Sequence, residues 1–272
     1  MAPKHCTPWA LLALVFATAC GDGPPPESAL DGYRVLGLIA DRPELPPDGQ
    51  VTLTAVDHDT EGRPATYAWT LCLYSLGSRA QFACVDPALE QALPETGPTA
   101  TIDFGPDGID FQRRFEAASP LVGLDGEPLT LEEGVDVVVG LTAEVKESRK
   151  VVIYKRIRLR TEGTPNQNPS ITDFVVPPTV APDTEVELSV VLGDDTPETY
   201  EEASSGRTFT ERLLVNFYAD GGELAMRGPF DETTTDTTWQ TPREAGPVTL
   251  FVAVRDGRGG VAIERRTVQV GP

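Results

Sequence analysis

Short runs of alternating apolar and polar residues dominate this chain, and turns rich in Pro, Gly, Asp and Asn separate them. Such alternation is typical of strands that bury one face. Residues 51–56 alternate strictly, whereas no long segment shows the period of a helix. The pattern therefore predicts an all-β protein.

The predicted strands fall into two groups, and each group contains a tryptophan that we expect in a core. Trp69 lies in an early strand of the first group, and Trp239 precedes the last hairpin of the second. A long stretch between Tyr74 and Gly134 is rich in Pro, Gly and acidic residues, and it predicts loops with a helical turn at 87–93. The predicted strands are 33–40, 51–56, 66–72, 99–104, 135–145, 150–159, 170–176, 186–192, 213–219, 248–254 and 261–270.

The two groups predict two domains of ordinary size. Residues 163–169 are polar and turn-forming, with no side chains suited to packing, so we place a linker there. We expect a β-sandwich with a long loop insertion at 33–162 and a second sandwich at 170–272.

Residues 1–19 have the layout of an export signal, with Lys4 before an apolar run at 9–16 that is too short to span a membrane. Small residues at 17–19 then precede Cys20. This ending resembles the lipobox of bacterial lipoproteins, in which the cysteine is acylated, although Ala17 stands where Leu is usual. The alternative is cleavage after Ala-x-Ala, which would release a soluble protein.

The segment after Cys20 supports an anchor. Residues 21–28 are rich in Pro, Gly and acids, which favours extended chain, so we predict a disordered tether at 20–32. Gly21, rather than Asp, follows the cysteine, which is compatible with delivery to the outer membrane. We expect an exported protein that is held to the cell envelope by its lipid.

The remaining cysteines agree with export. Cys6 leaves with the signal, and Cys72 and Cys84 remain for the folded part. An even pair in an oxidising compartment predicts a disulfide. The alternative is a metal site, which would need further His or Cys ligands close by.

The formal charge of −20, from 42 acidic and 22 basic residues, disfavours some partners. Nucleic acid requires a basic footprint, and anionic lipids attract basic segments. We therefore expect no nucleic acid partner and membrane contact through the N-terminal lipid alone.

The supply of catalytic residues is small. His58 is the one histidine beyond residue 20, and no Gly-x-Ser-x-Gly motif is present. We interpret His58 as an exposed loop residue. Paired carboxylates of glycosidases cannot be singled out in so acidic a chain. We predict that the protein is not an enzyme.

Calcium is the one cofactor with candidate ligands, because it takes clustered carboxylates. Asp194, Asp195 and Glu198 form one acidic turn, and residues 57–61 form another. Neither has the spacing of a helix-loop-helix calcium loop. The alternative is a solvated loop with no metal.

Near the C-terminus, Trp239-Gln240-Thr241-Pro242 is followed by a strand and by Asp256-Gly257-Arg258-Gly259-Gly260. This series resembles the last third of PKD and related immunoglobulin-like domains. Residues 67–69 are similar to that family's Tyr-x-Trp strand, but 70–72 depart from its usual continuation. The resemblance implies an immunoglobulin-like sandwich with an extracytoplasmic spacer or binding role.

These observations favour a non-enzymatic envelope lipoprotein that presents two sandwiches for protein binding or adhesion. Its partner, an envelope protein or a glycan, is not identified by the sequence. The alternative is a carbohydrate-binding accessory module, for which Trp239 with Tyr218 or Phe230 would form the aromatic platform.

Overall fold

A computed structural model describes residues 27–75, 81–85, 89–118, 121–122, 126–146, 150–202, 206–225 and 235–271. The predicted signal peptide, Cys20 and the tether as far as residue 26 lie outside these ranges, as does Phe230. The described part is built almost entirely of strands, so the all-β prediction is confirmed.

The first module begins at residue 33, and its strands enclose one core. Its elements are β1 (Tyr33–Ala40), β2 (Glu44–Leu45), β3 (Gln50–Asp59), β4 (Ala65–Cys72), β5 (Glu90–Ala92), β6 (Thr99–Asp103), α1 (Phe111–Ala118), β7 (Val135–Val145) and β8 (Val151–Leu159).

These strands form a sandwich of two sheets. One sheet has the order β1-β3-β6, and the other has the order β2-β8-β7-β4-β5. The inward residues of both sheets meet in one apolar core, where Trp69 is 1% exposed. Its indole Nε1 donates a hydrogen bond to the carbonyl of Gly97 at 2.9 Å, so the buried N–H is satisfied.

The long insertion differs from its prediction in two places. The helical turn expected at 87–93 is wrong at Glu90–Ala92, which forms β5 along the edge of β4, whereas Leu89 has 3₁₀-helical backbone. Residues 87 and 88 lie outside the described ranges. The sequence analysis also missed α1, which packs Phe111 and Phe115 against Tyr74. The spacing of four between the two phenylalanines was the signal that indicated this helix.

The second module follows the same plan. Its strands are β9 (Ile171–Val175), β10 (Thr179–Val180), β11 (Glu185–Leu192), β12 (Thr199–Glu202), β13 (Arg207–Thr210), β14 (Leu214–Ala219), β15 (Glu223–Leu224), β16 (Asp236–Gln240), β17 (Gly246–Arg255) and β18 (Val261–Val270).

Two sheets again enclose a core, in the orders β10-β18-β17-β14 and β15-β16-β11-β9. Trp239 lies fully inside this core and donates from Nε1 to the carbonyl of Gly221 at 2.9 Å. No strand was predicted between residues 192 and 213, but β12 and β13 lie there and pair as a hairpin.

The end of the predicted tether is not free chain. Leu30 donates from its backbone N–H to the carbonyl of Ala219 at 2.8 Å, and Ala219 donates to the carbonyl of Ser28 at 3.1 Å. The Leu30 side chain is buried with Leu36 and Phe251. Residues 28–30 therefore bind the edge of β14 in the second module, because an open strand edge and an apolar pocket are available there.

The predicted linker is also packed, contrary to the expectation that its side chains are unsuited to packing. Asn166 is 2% exposed. Asn168 donates from Nδ2 to the carbonyl of Ala40 at 2.7 Å and accepts at Oδ1 from the N–H of Val261 at 2.9 Å. The linker amides thus join β1 of one module to β18 of the other.

Within the described ranges, no helix is both long and apolar enough to cross a membrane.

Candidate functional site

The outward face of the β2-β8-β7-β4-β5 sheet carries exposed apolar side chains. Alternation along β8 sends Ile153 and Ile157 towards the core and Val152 and Tyr154 outward. Val152 is 48% exposed and Tyr154 is 44% exposed. A strand residue pair of this kind on a sheet surface has no role in the core, so it is a candidate contact surface.

The ring of Tyr154 lies over a glycine on the neighbouring strand. Tyr154 pairs with Gly140 of β7, and a Cβ built on Gly140 would lie 3.4 and 3.5 Å from two ring carbons. The same Cβ would lie 2.6 Å from Oγ1 of Thr70 on β4. Gly140 therefore leaves the space in which the tyrosine ring lies along the sheet.

Phe82 reaches this face from the loop closed by Cys72 and Cys84. The disulfide is present with a Cα–Cα separation of 5.6 Å, which confirms the predicted pair. The Phe82 and Tyr154 ring centroids are 5.1 Å apart, with the planes tilted by 34°. The loop thus adds a second aromatic ring to the surface.

The backbone that presents Phe82 is strained. Gln81 and Phe82 have φ values of 53° and 58°, in the left-handed region that disfavours residues with a Cβ. Such conformations cost on the order of 1 to 3 kcal/mol each and tend to occur where function requires them. Val85, which is 50% exposed, follows the loop and is fixed by a hydrogen bond from its N–H to the carbonyl of Tyr74.

Cations flank the aromatic pair along β8. Residues 146–160 contain seven of the chain's 22 Lys and Arg residues, with Glu147 as the one acid in that range. Side chains two residues apart on a strand point to the same side, so Lys150, Arg156 and Arg158 point outward as Tyr154 does. Both arginines approach the carboxylate of Asp136 at 3.5 Å. We call this surface the Tyr154 face; it consists of Phe82, Asp136, Lys150, Val152, Tyr154, Arg156 and Arg158.

A second feature is the polar junction between the modules. Glu44, which is 6% exposed, accepts at Oε2 from the N–H of Asn166 at 3.1 Å, and Nε of Arg160 forms an ion pair with its Oε1 at 2.6 Å. Arg258 of the second module approaches the same carboxylate at 3.8 Å and Oε1 of Glu211 at 2.9 Å. Burial raises the pKa of Glu211 above its usual value.

Lys155 enters the junction from the core side of β8. Its Nζ donates to the carbonyl of Gly259 in the β17–β18 turn. Burial lowers the pKa of Lys155 to about 8 and outweighs the opposing effect of Asp256. Asp256 itself accepts from Asn166 Nδ2 at 2.8 Å, so the turn is tied to both the linker and the first module.

His58 was predicted to be an exposed loop residue, and this is wrong. It lies in β3, with Nε2 2.9 Å from Oδ2 of Asp220 in the second module. Its ring packs edge-on against Phe251 at 5.4 Å. The apolar cluster of Leu30, Leu36 and Phe251 brings the two modules close enough for this contact.

The proposed calcium ligands do not converge. Among the described residues, no group of three or more His, Cys, Asp or Glu side chains is arranged to hold a metal ion. Glu198 instead lies 3.4 Å from Arg258 and accepts from the N–H of Gln167 at 3.3 Å. The carboxylate at 198 is therefore neutralised by an arginine, and Asp194 and Asp195 remain on the surface.

An open cleft of about 400 Å³ lies beside the junction. Residues 163–165 of the linker line this cleft, together with the junction arginines Arg160 and Arg258. Its charged lining residues are Glu132, Arg160, Glu162, Glu198, Glu201 and Arg258.

The aromatic platform expected at Trp239 is also wrong. Trp239 is fully buried, and the half-buried ring of Tyr218 lies under the guanidinium of Arg34 at 5.3 Å. The aromatic pair of exposed Tyr154 and half-buried Phe82 lies instead on the first module. The sequence did not indicate this pair. Tyr154 follows three apolar residues of β8, and Phe82 lies far away in the chain and contacts Tyr154 through the loop that the disulfide closes.

Solved structures with a similar fold include the fibronectin(III)-like modules of Clostridium thermocellum CbhA, at 10% identity over 88% of this chain and 92% of that one, with a TM-score of 0.27. The Ig1-2 module of the Drosophila receptor tyrosine phosphatase DLAR matches at 10% identity over 89% and 100%, with a TM-score of 0.28. The two tandem V-type regions of VCBP3, a v-region-containing chitin binding protein, match at 12% identity over 87% and 100%, with a TM-score of 0.29. These likenesses concern the fold alone.

No protein-family model and no curated protein matches the sequence. The described part of the chain is all-β, and its strands form two sandwiches in tandem. Fold does not fix function, so the function has to be inferred from the Tyr154 face and the polar junction.

Proposed function

We propose that this chain is a non-enzymatic lipoprotein of the bacterial cell envelope that binds a protein partner through its Tyr154 face. The observation that carries the proposal is the exposure of Tyr154 and Val152 on an ordered sheet, at 44% and 48%. An apolar centre containing Tyr, bordered by Arg and Lys, has the composition of a protein interface.

The disulfide supports export, since such bonds persist in oxidising compartments. In the proposed mature protein, Cys20 carries lipid and faces the outer membrane. Seven residues lie between this anchor and Ser28, and the eight steps of extended chain span at most about 28 Å. Because residues 28–30 bind β14, the anchor would hold the junction between the modules close to the membrane.

The polar junction supports a role in presentation. Contacts through Glu44, Arg258 and the two linker asparagines favour a fixed relation between the modules. In this proposal the second module, which we regard as PKD-like, serves as a support that orients the first.

The position of His58 supports the absence of catalysis. This histidine is engaged by Asp220 and Phe251 at the junction, which is a structural environment.

Binding to cells provides the test. The chain from residue 20 onward, carrying Cys20→Ser so that it stays soluble, is labelled and titrated onto cells that display the native protein and onto cells that lack it. We expect saturable binding that Tyr154→Ala weakens at least about tenfold, since truncating a central interface tyrosine typically costs more than about 1.4 kcal/mol.

Thr101→Ala is the matched control, because Thr101 is an exposed residue of β6 in the opposite sheet. It should leave binding unchanged. Equal binding by the Tyr154→Ala chain and the unaltered chain would contradict the proposal.

A glycan is the second candidate partner, and the Phe82–Tyr154 ring pair favours it. Aromatic rings on a sheet face can stack on sugars. Binding to polysaccharides that depends on Tyr154, and that persists after proteins are digested from the cell surface, would support this candidate over a protein.

A further inference from the structure

The large hydrophobic residues exposed in the described part of the chain concentrate on two sheet faces. Val152 and Tyr154 belong to the Tyr154 face. Val175 and Val191, at 43% and 47% exposure, lie on the outward face of the β15-β16-β11-β9 sheet in the second module. Val85 and Val122 are the two such residues of the described part that belong to neither face.

The second of these faces is acidic. Alternation along β11 buries Leu188 and Val190 and sends Glu185, Glu187 and Val191 outward. Cross-strand pairing places Val191 beside Asp173 of β9, and Ser189 beside both Val175 and Asp236. We call this surface the Val191 face; it consists of Asp173, Val175, Glu185, Glu187, Val191 and Asp236.

The charges that border the two faces are segregated along the sequence. Residues 146–160, which supply the cations of the Tyr154 face, contain seven basic residues and one acid. Residues 161–206 contain ten acids and no Lys or Arg. On the Tyr154 face, Lys150, Arg156 and Arg158 stand against the one carboxylate of Asp136. The Val191 face carries four carboxylates, of which Asp173 lies 3.7 Å from Arg266. Each face therefore combines exposed apolar side chains with a net charge opposite in sign to that of the other face.

We infer that two copies of this chain associate head to tail, with the Tyr154 face of one copy on the Val191 face of the next. This inference rests on the proposed function, since it names the protein that the Tyr154 face binds. Complementary charge supplies orientation and a faster encounter, and the valines and tyrosine supply the apolar contact.

The size of the faces indicates a weak contact. A few strands about 4.8 Å apart and about 17 Å long give a face on the order of 400 Å². Stable interfaces bury about 800 Å² on each partner, so association belongs at the weak, transient end. Anchoring to a membrane raises the effective concentration and would make such a contact effective on a cell surface.

The contact uses different faces on its two sides, so it is heterologous. Each added copy leaves one Tyr154 face and one Val191 face open, and the assembly grows unless its geometry closes a ring. This property separates the inference from a symmetric dimer and provides its test.

Sedimentation velocity of the soluble chain (residue 20 onward, Cys20→Ser) measures the association. We expect the mean sedimentation coefficient to rise with protein concentration at about 0.02 M salt, where the Debye length is ~20 Å, and much less at about 0.5 M, where it is ~4 Å.

Two variants then separate the faces. Lys150→Glu with Val152→Glu alters the Tyr154 face, and Glu187→Ser with Val191→Ser alters the Val191 face; all four residues are exposed. Each variant alone should remain monomeric at low salt. Their mixture should form a dimer that grows no further, because each retains the face that the other lacks, and a misfolded variant would not form it.

Asp107→Lys is the control, because Asp107 is exposed and belongs to neither face. It should associate like the unaltered chain. An unaltered chain that stays monomeric at low salt, association that neither variant weakens, or a mixture without dimers would overturn the inference. The cell-binding assay distinguishes this failure from that of the proposed function, since Tyr154-dependent binding to cells lacking the native protein would indicate a different protein.

Discussion

The backbone N–H of Asn166 donates a hydrogen bond to Oε2 of Glu44 at 3.1 Å, which fixes the segment between the modules to a buried carboxylate of the first. Arg160 and Arg258 approach the same carboxylate from either side. Glu44 therefore connects the first module, the linker and the second module in one network.

Replacing Glu44 should uncouple the modules. Glu44→Ala leaves two arginines near the junction without this partner, and breaking a buried ion-pair network costs about 3 to 5 kcal/mol. Trp69 and Trp239 report on the two modules separately, so single-tryptophan versions with Trp→Phe at the other site resolve the unfolding of each.

We expect the two tryptophan transitions of the unaltered chain to coincide and those of the Glu44→Ala chain to separate. Glu187→Ala, an exposed carboxylate of β11, is the control and should leave the transitions together. Coincident transitions in the Glu44→Ala chain would show that the junction does not depend on this carboxylate.

Removing the disulfide should affect the first module. The paired change Cys72→Ala with Cys84→Ala opens a loop whose closure is worth about 3 kcal/mol in the chain-entropy model. The transition reported by Trp69 should move to lower denaturant concentration. In a Glu44→Ala background, where the modules are expected to unfold separately, the Trp239 transition should stay in place; equal shifts in both would contradict this assignment.

Lys155 should make stability depend on alkaline pH. Its pKa is lowered to about 8 in the folded chain by burial, from 10.5 when exposed. Between these values the unfolded chain binds more protons than the folded one, so the free energy of unfolding rises with pH. Below pH 8 the full cost of the buried charge, about 3 kcal/mol, is present.

The comparison of the unaltered chain with Lys155→Met isolates this effect. Burial and hydrogen bonding to Asp57 raise the pKa of Tyr67 to about 12, which opposes stability above pH 10, but this contribution cancels between the two proteins. From about pH 7 to about pH 10.5, stability should shift by about 3 kcal/mol in favour of the unaltered chain. Parallel pH profiles would contradict the prediction.

Gly140 should be required for the shape of the Tyr154 face. A side chain at this position meets Thr70 and the Tyr154 ring, and such overpacking costs about 1 to 3 kcal/mol. Gly140→Val should therefore destabilise the first module and weaken binding to cells. Gly97→Ala is the control, because a Cβ at Gly97 meets nothing within 4 Å.

The strands and the fold class were predictable from the sequence because they depend on local alternation. Residues 51–56 alternate in the sequence, and they lie in β3 with Val51, Leu53 and Ala55 buried. The disulfide was predictable because only two cysteines remain after residue 20 and an oxidising compartment was expected.

The environment of the polar residues was not predictable, since it depends on partners far along the chain. Nothing near Asn168 in the sequence indicates its hydrogen bonds to the backbone of Ala40 and Val261. The residues around His58 in the sequence likewise do not indicate its contact with Asp220 of the other module. The candidate face was missed for the same reason, because Phe82 and Tyr154 are 72 positions apart in the sequence.

Photo-crosslinking from position 154 in living cells tests the central claim most directly. A photoreactive amino acid replaces Tyr154 in the full chain, and a second version carries it at Glu116, an exposed residue of α1, as the control. The account predicts a discrete protein adduct from position 154 that is absent from position 116, and its mass would identify either a second copy or another protein. No adduct above the control, in cells where the chain is exported and folded, would contradict the claim that the Tyr154 face binds a protein.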